Sequence, residues 1–143
     1  ICEESIKIIA PAVLLGVKNI QTQPYPGFPT DMQSQMMACL CTAHGESSIT
    51  ENIFENRFKI VPELIRMGAD ISVSGSKALI SGSAKLHGEA VAARDLRGGA
   101  ALVAAGLAAE GTTTVQESEY IDRGYVDVCS DLRSLGACID RRQ

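Results

Sequence analysis

Apolar positions recur with helical spacing in two stretches of this 143-residue chain. One stretch follows Asp31 and stops at Gly45, and the other follows Asp95 and stops at Gly111. Glycine is common just beyond a helix because it adopts a positive φ without a steric penalty. The pattern therefore predicts two helices, each opened by an aspartate and closed by a glycine.

Each predicted helix is followed by a stretch that alternates and carries β-branched side chains, at residues 48–54 and 114–120. Alternation of this kind is typical of strands. An arginine, Arg57 in the first stretch and Arg123 in the second, then opens another predicted helix. Further strands are predicted at residues 5–9, 18–22, 70–73, 77–81, 89–93 and 138–140.

The same order of helix, strand, helix and strand occurs in residues 31–75 and 95–140, which predicts an internal repeat with a period of about 66 residues. A unit of this length that contains strands packs its helices against a small sheet. The fold class is therefore α+β with mixed strand pairing. Nothing rich in proline or serine marks a linker, so residues 1–143 are interpreted as a single domain.

Composition narrows the class of protein. A hydrophobic content of 45% with only 4% aromatic residues indicates an aliphatic core. The net charge of −4 and the scattered basic residues argue against a nucleic-acid partner. Neither an apolar run long enough to cross a membrane nor a signal peptide is recognisable. The sequence therefore predicts a cytoplasmic chain without a membrane partner.

The cysteines follow neither a disulfide pattern nor a metal-binding pattern, and their number is odd. We expect reduced core residues, and no metal site, because only His44 and His87 could supplement them. The cysteines are Cys2, Cys39, Cys41, Cys129 and Cys138.

The strongest candidate for chemistry is Asp31, which follows a turn stiffened by three prolines in residues 24–29. Thr30 is predicted to cap the next helix, so that Asp31 lies among free amides at the positive end of the helix dipole. A general base needs such a rigid position. The alternative is that Asp31 is only an acidic residue of an ordinary first helical turn.

Three arginines are candidates for binding an anion. Arg57 and Arg123 are predicted at helix starts, where a cation is unfavourable unless something anionic compensates it. Arg97 precedes two glycines, which leave room for a ligand, and a guanidinium binds carboxylate or phosphate with two hydrogen bonds. Alternatively, Arg57 and Arg123 form surface ion pairs; the possible partners are Glu51, Glu55, Asp122 and Asp127.

Five motifs in order along the chain resemble those of the UDP-N-acetylglucosamine 1-carboxyvinyltransferases, a family of enolpyruvyl transferases. They are Tyr-Pro-Gly-Phe-Pro-Thr-Asp-Met-Gln (25–33), Glu-Asn-Ile-Phe-Glu-Asn-Arg-Phe (51–58), Glu-Leu-Ile-Arg-Met-Gly-Ala (63–69), Asp-Leu-Arg-Gly-Gly (95–99) and Ile-Asp-Arg-Gly-Tyr (121–125). The resemblance implies an inside-out α/β barrel, in which helices pack inside small mixed sheets. About two of its repeats would be present here.

The resemblance also implies an activity, the transfer of the enolpyruvyl group of phosphoenolpyruvate to the 3'-hydroxyl of UDP-N-acetylglucosamine. This is the first committed step of peptidoglycan synthesis, on which bacterial cell-wall biogenesis, cell shape and division depend, and it requires no metal or organic cofactor. Two alternatives remain: the shikimate-pathway enolpyruvyl transferase, and a non-catalytic module that binds an anion.

By this resemblance, Asp31 would be the base facing the sugar hydroxyl, with Ile53 and Phe54 against the nucleotide-sugar. Arg97 and Arg123 would hold the anionic groups of phosphoenolpyruvate, and Arg123 would take part in catalysis. The remaining implied site residues are Leu96, which would line the pocket, and Arg57, a secondary electrostatic support.

Family members are about three times longer, so the resemblance implies a partial domain that corresponds to their C-terminal portion. The acid cysteine of the family lies in the missing part, and none of the cysteines here matches it. We therefore expect the chain to be inactive alone and to need the N-terminal part of the same enzyme as its partner. An exposed apolar flank is expected to cause self-association.

Overall fold

The structure, a computed structural model, describes residues 7–142. Its strands are β1 (Ile20–Gln21), β2 (Glu46–Thr50), β3 (Asp70–Ser74), β4 (Lys77–Ser81), β5 (Ala90–Ala92) and β6 (Thr114–Gln116). Its helices are α1 (Gln33–Thr42), α2 (Val61–Arg66), α3 (Leu96–Ala108), α4 (Glu119–Asp122) and α5 (Val128–Ser134), with a 3₁₀ turn at Thr30–Met32 directly before α1.

The strands form two small sheets. The first has the order β1-β2-β4-β3, in which β1 and β2 are parallel and the other neighbours are antiparallel; the second pairs β5 with β6 in parallel. Ile49, Ala78 and Ile80 point from the first sheet into the core, whereas Leu79 is exposed on its outer face. The predicted α+β class with mixed pairing is confirmed.

Helices α1 and α3 pack on each other. Helix α1 also contacts β2 and β4 of the first sheet, and α3 contacts β6 of the second. Of the ten residues of α1, only Cys39 is exposed, so this helix is surrounded by protein. Met37 and Cys41 on α1 join Leu64 of α2 and Leu102 of α3 in one aliphatic core. Helices therefore lie inside and the sheet lies outside, because a helix that is apolar nearly all round must be covered on all sides.

The helices end shortly before the predicted glycines. The C-cap residues of α1 and α3, Ala43 and Ala109, are already extended. Gly45 and Gly111 follow two residues later, with φ +93° and +95°, in the turns that lead away from the helices. This left-handed conformation carries little cost only for a residue without a Cβ atom.

Four predicted strands are longer than the observed ones. Those predicted at 18–22 and 89–93 are shortened to β1 and β5. The strand predicted at 48–54 ends at Thr50, because the next residues turn around the side chain of Glu51. The strand predicted at 114–120 ends at Gln116, and Glu119 already begins α4.

The strands predicted at the two ends of the chain differ from the observed structure. Residues 138–140 form no strand; the guanidinium of Arg133 holds this segment by donating to the Ile139 carbonyl at 2.7 Å. Residues 5 and 6 lie outside the described residues, and the adjoining 7–9 are irregular and exposed.

The described cysteines differ in burial. Cys41 and Cys129 are buried as predicted, but Cys39 and Cys138 are exposed, since one lies on the open side of α1 and the other follows α5 in irregular chain. Burial raises the pKa of the Cys41 thiol to about 12, so this thiol stays protonated at neutral pH. Cys2 lies outside the described residues.

The segment of residues 8–17 carries several apolar side chains to the surface, among them Ile8, Ile9 and Leu15. Self-association through such a flank stays a prediction. Within residues 7–142 no helix is long and apolar enough to cross a membrane.

Candidate functional site

The proline-rich turn brings Asp31 to the start of α1 through backbone contacts. Gln23 donates from its backbone N–H to the Phe28 carbonyl at 3.0 Å, and Gly27 donates to the Pro24 carbonyl at 2.8 Å. A Cβ atom at Gly27 would lie 2.5 Å from that of Gln23, so the turn closes only with glycine there.

Thr30 does not cap the helix as predicted. The cap position is Pro29 for the 3₁₀ turn and Met32 for α1, and neither makes a side-chain hydrogen bond to the helix amides. The Thr30 hydroxyl donates instead to Oε2 of Glu51 at 2.9 Å, 21 residues along the chain. The turn is therefore fixed to the end of β2 rather than to its own helix.

Asp31 lies between two guanidinium groups. Its Oδ1 is 2.5 Å from Nε of Arg97 and 3.3 Å from Nη2 of Arg57. The Asp31 side chain is 61% exposed, whereas those of Arg57 and Arg97 are 20% and 35% exposed. A carboxylate held by two cations and open to solvent on its remaining side is oriented and within reach of a ligand.

This arrangement corrects the interpretation of Arg57. Arg57 lies in a turn before α2 rather than at a helix start, and it pairs with Asp31 rather than with a neighbouring glutamate. Its guanidinium carbon also lies 5.2 Å from the centre of the Phe54 ring, within the range of a cation–π contact. Arg57 thus connects the aspartate with the loop that carries Phe54.

Arg97 is placed by the cap of α3. The Asp95 carboxylate accepts from the backbone N–H of Arg97 at 3.0 Å and of Gly98 at 2.8 Å. The space beside the two glycines is filled by the protein itself. A Cβ at Gly99 would lie 2.7 Å from Cγ1 of Ile121, and one at Gly98 would lie 3.3 Å from the Asp95 carboxylate. These glycines permit packing and capping, so the prediction that they leave room for a ligand was wrong.

Arg123 lies apart from this ion pair. It follows α4 instead of opening a helix, and the dipole there no longer opposes its charge. Among residues 7–142, no carboxylate lies within 4.0 Å of Arg123: Asp122 pairs with Arg141, and Asp127 caps α5 by accepting from the Ser130 N–H at 2.9 Å. Arg123 is exposed.

Leu96 lies beside the segment that carries Arg123. Its Cδ2 atom is 2.8 Å from where a Cβ at Gly124 would stand, so the Leu96 side chain covers the backbone directly after Arg123. Leu96 also immediately precedes Arg97 on α3. The first turn of α3 therefore connects the Asp31 ion pair with the loop of Arg123.

Ile53 and Phe54 lie in the loop after β2, both partly exposed. With the rest of residues 51–59 and with Val73, Gly75 and Ser76 they line an open groove of about 780 Å³. Arg57 belongs both to this groove and to the ion pair with Asp31. The groove and the carboxylate are therefore adjacent.

Glu51 is the site residue that the sequence interpretation missed. It is only 4% exposed, and it accepts hydrogen bonds from Thr22, Thr30 and the backbone N–H groups of Ile53 and Phe54. Burial pushes the pKa of Glu51 upward, but these hydrogen bonds outweigh it and the pKa lies below its usual value. The available signal was an acidic residue inside a predicted strand.

Comparison with known protein families identifies the chain as a member of a carboxyvinyltransferase family. The family model of EPSP synthase (3-phosphoshikimate 1-carboxyvinyltransferase) matches residues 3–132, and the chain belongs to this family.

The curated relatives carry a more particular name, UDP-N-acetylglucosamine 1-carboxyvinyltransferase. The protein of that name from Desulfofundulus thermocisternus is 55% identical over 139 residues, which cover 97% of this chain and 57% of the relative. The one from Trichlorobacter lovleyi is 58% identical over 123 residues, which cover 86% of this chain and 29% of the relative. The chain thus spans between about a third and somewhat over half of the length of these relatives.

The fold agrees with this relationship. The crystal structure of the enolpyruvyl transferase NikO from Streptomyces tendae superposes with a TM-score of 0.83 at 31% identity, covering 91% of this chain and 30% of that one. The prediction of an enolpyruvyl-transferase-like fold is therefore confirmed.

Proposed function

We propose that this chain is part of a UDP-N-acetylglucosamine 1-carboxyvinyltransferase, which transfers the enolpyruvyl group of phosphoenolpyruvate to the 3'-hydroxyl of the sugar and releases phosphate. The observation that carries the proposal is the Asp31 carboxylate held by Arg57 and Arg97 beside an open groove. In this role the chain acts in the cytoplasm, in the first committed step of peptidoglycan synthesis and thus in cell-wall biogenesis.

Asp31 serves as the base. A sugar hydroxyl is too weakly acidic to add to a carbon–carbon double bond unaided, so a carboxylate must take its proton as the oxygen attacks C2 of phosphoenolpyruvate. A proton adds to C3 in the same phase, and the tetrahedral intermediate then loses phosphate and a C3 proton. The two guanidinium groups fix the direction of the Asp31 carboxylate.

The arginines stabilise the charge on phosphoenolpyruvate and on the departing phosphate. Arg97 is paired with Asp31, the carboxylate that faces the sugar hydroxyl. Its guanidinium can therefore contact both the sugar and phosphoenolpyruvate where they react. Arg123 is exposed and lies outside the ion pairs of the described residues, which suits it to a phosphate group. Leu96 lines the space between these two arginines.

The groove beside Ile53 and Phe54 takes the nucleotide-sugar. Phe54 offers a half-exposed ring, whose orientation Arg57 supports from one face. The Ile53 N–H already donates to Glu51 at 2.9 Å, so the backbone contact of Ile53 to the ligand uses its carbonyl oxygen. Arg57 adds positive charge for the anionic groups of the ligand.

The remaining part of the same enzyme is the partner of this chain. The relatives are longer than the part that this chain matches, and an enclosed site for two substrates requires walls on more sides than the open groove provides. We expect the acid that protonates C3 to come from that part. This chain alone is then inactive in turnover.

The alternative acceptor is a shikimate phosphate, which the description of the family model favours. The names of the relatives at 55% and 58% identity favour the nucleotide-sugar instead. A non-catalytic anion-binding module remains the alternative from a different class of protein.

Isothermal titration with UDP-N-acetylglucosamine tests the proposal. We expect saturable binding that Asp31→Ala weakens, and no binding of shikimate 3-phosphate. Binding of shikimate 3-phosphate in place of the nucleotide-sugar would overturn the choice of acceptor. Turnover of phosphoenolpyruvate after the remaining part of the enzyme is added separates a transferase from a binding module, which would show none.

A further inference from the structure

Glu51 connects three segments of the chain that are far apart in sequence. Its Oε1 accepts from the Thr22 hydroxyl at 2.8 Å and from the N–H groups of Ile53 and Phe54 at 2.9 and 3.1 Å. Its Oε2 accepts from the Thr30 hydroxyl at 2.9 Å. The three segments are the end of β1, the turn before Asp31 and the loop that lines the groove.

The contact with β1 extends further into the loop. The Thr22 hydroxyl that donates to Glu51 also accepts from the backbone N–H of Asn52 at 2.8 Å, and the Asn52 amide donates to the Thr22 carbonyl at 3.3 Å. Three successive backbone N–H groups, those of Asn52, Ile53 and Phe54, are therefore held by Glu51 directly or through Thr22.

The charge of Glu51 is balanced by hydrogen bonds rather than by a cation of the described residues. Within residues 7–142, no basic group lies within 4.0 Å of the Glu51 carboxylate. A buried ionised carboxylate is costly unless hydrogen bonds replace its water, and an apolar side chain at the end of β2 would avoid that cost. The charge instead strengthens each hydrogen bond to it, which makes the geometry of its donors stiff.

We infer that Glu51 is a positioning residue that fixes the Asp31 turn and the Ile53–Phe54 loop relative to each other. This inference rests on the proposed function, since it assigns the two segments to the base and to the nucleotide-sugar contact. One oxygen of Glu51 holds the loop and the other holds the turn, so a single side chain sets the distance between the base and the groove.

The first test uses nuclear magnetic resonance of the unliganded chain. Glu51→Gln keeps the shape of the side chain but removes its charge and places an NH₂ group opposite a donor. We expect the amide protons of Ile53 and Phe54 to move upfield, and the Arg97 Nε–H signal, which reports the Asp31 contact, to shift with them. Signals of Ile80 and Leu102 in the core stay in place.

Two further variants make this test specific. Glu46→Gln, at the other end of β2 and exposed, is the matched control and should leave all three signals unchanged. Thr30→Val removes only the hydrogen bond to the turn, so it should shift the Arg97 signal and leave the Ile53 and Phe54 amides in place. The inference is overturned if Glu51→Gln shifts the loop amides while the Arg97 signal stays in place in both Glu51→Gln and Thr30→Val.

The second test measures binding of UDP-N-acetylglucosamine. We expect Glu51→Gln to raise the Kd about tenfold, the equivalent of one charge-assisted hydrogen bond, and Glu46→Gln to leave it unchanged. An unchanged Kd in Glu51→Gln contradicts the inference. Absence of binding by the unsubstituted chain counts against the proposed function instead, and the resonance test then decides the positioning role by itself.

Discussion

The two segments that the predicted repeat aligns, residues 31–75 and 95–140, use matching charged residues differently. Asp31 is exposed and paired with two arginines, whereas Asp95 is taken up by capping α3. Arg57 belongs to the ion pair with Asp31, whereas Arg123 lies outside it.

The glutamates after the matching strands differ most. Glu51 is buried with four hydrogen bonds, whereas Glu117 is exposed and has Arg94 at 3.7 Å. The first segment contributes to a large core, but Ile121 and Cys129 are the only residues buried after position 110 in the described chain. Glu51 and Glu117 are the same type of residue, so their difference in burial decides which of them holds neighbouring segments through hydrogen bonds.

Removing the two glutamates should give the largest difference between the segments. Glu51→Ala leaves buried donors without a partner, and we expect it to lower the free energy of unfolding by about 2–3 kcal/mol. Glu117→Ala should change it by no more than about 0.5 kcal/mol, as for an exposed residue. Urea denaturation measures both, and equal losses would refute the contrast.

The small core of the second segment depends on Gly99. Gly99→Ala forces a methyl group against Ile121 and Ala93, and we expect a loss of about 1–3 kcal/mol in the free energy of unfolding. Gly98→Ala, one residue earlier, is the control; its new methyl group meets only the Asp95 carboxylate, and a loss above about 0.5 kcal/mol is not expected. Thermal unfolding of the two variants measures both losses. An unchanged stability of Gly99→Ala would show that the packing of Gly99 against Ile121 and Ala93 is loose.

Substitution of Asp95 should lower the stability of the fold, whereas substitution of Asp31 should mainly weaken ligand binding. Asp95→Ala removes the cap of α3 and should cost about 1 kcal/mol of stability. Asp31→Ala removes an exposed ion pair, which contributes up to about 1 kcal/mol and often nothing measurable, yet it should weaken nucleotide-sugar binding. A larger stability loss for Asp31→Ala than for Asp95→Ala would argue that Asp31 is structural.

The sequence predicted those features that depend on neighbouring residues. The ends of α1 and α3 were predictable to within about three residues from Gly45 and Gly111, since a positive φ is a local property. The role of Thr30 was not, because its partner Glu51 is 21 residues away, and a local capping rule cannot see it. The pairing of Asp31 with Arg57 spans 26 residues and was missed for the same reason.

The smallest expected effect is a dependence of the stability on pH that arises from Glu51 in the first segment. The pKa of Glu51 lies below its ordinary value of 4.5, because its hydrogen bonds outweigh its burial. The unfolded chain therefore takes up the proton first as the pH falls, so the stabilisation by Glu51 is complete above pH 4.5 and is lost as the pH falls through the folded pKa.

Comparison of the unsubstituted chain with Glu51→Gln isolates this contribution. The difference in stability between the two should shrink as the pH is lowered below 4.5. A difference that stays flat would mean that Glu51 has the same proton affinity in the folded and unfolded chains. Its hydrogen bonds would then only offset the cost of its burial, and the contrast between the two glutamates would rest on geometry rather than on charge.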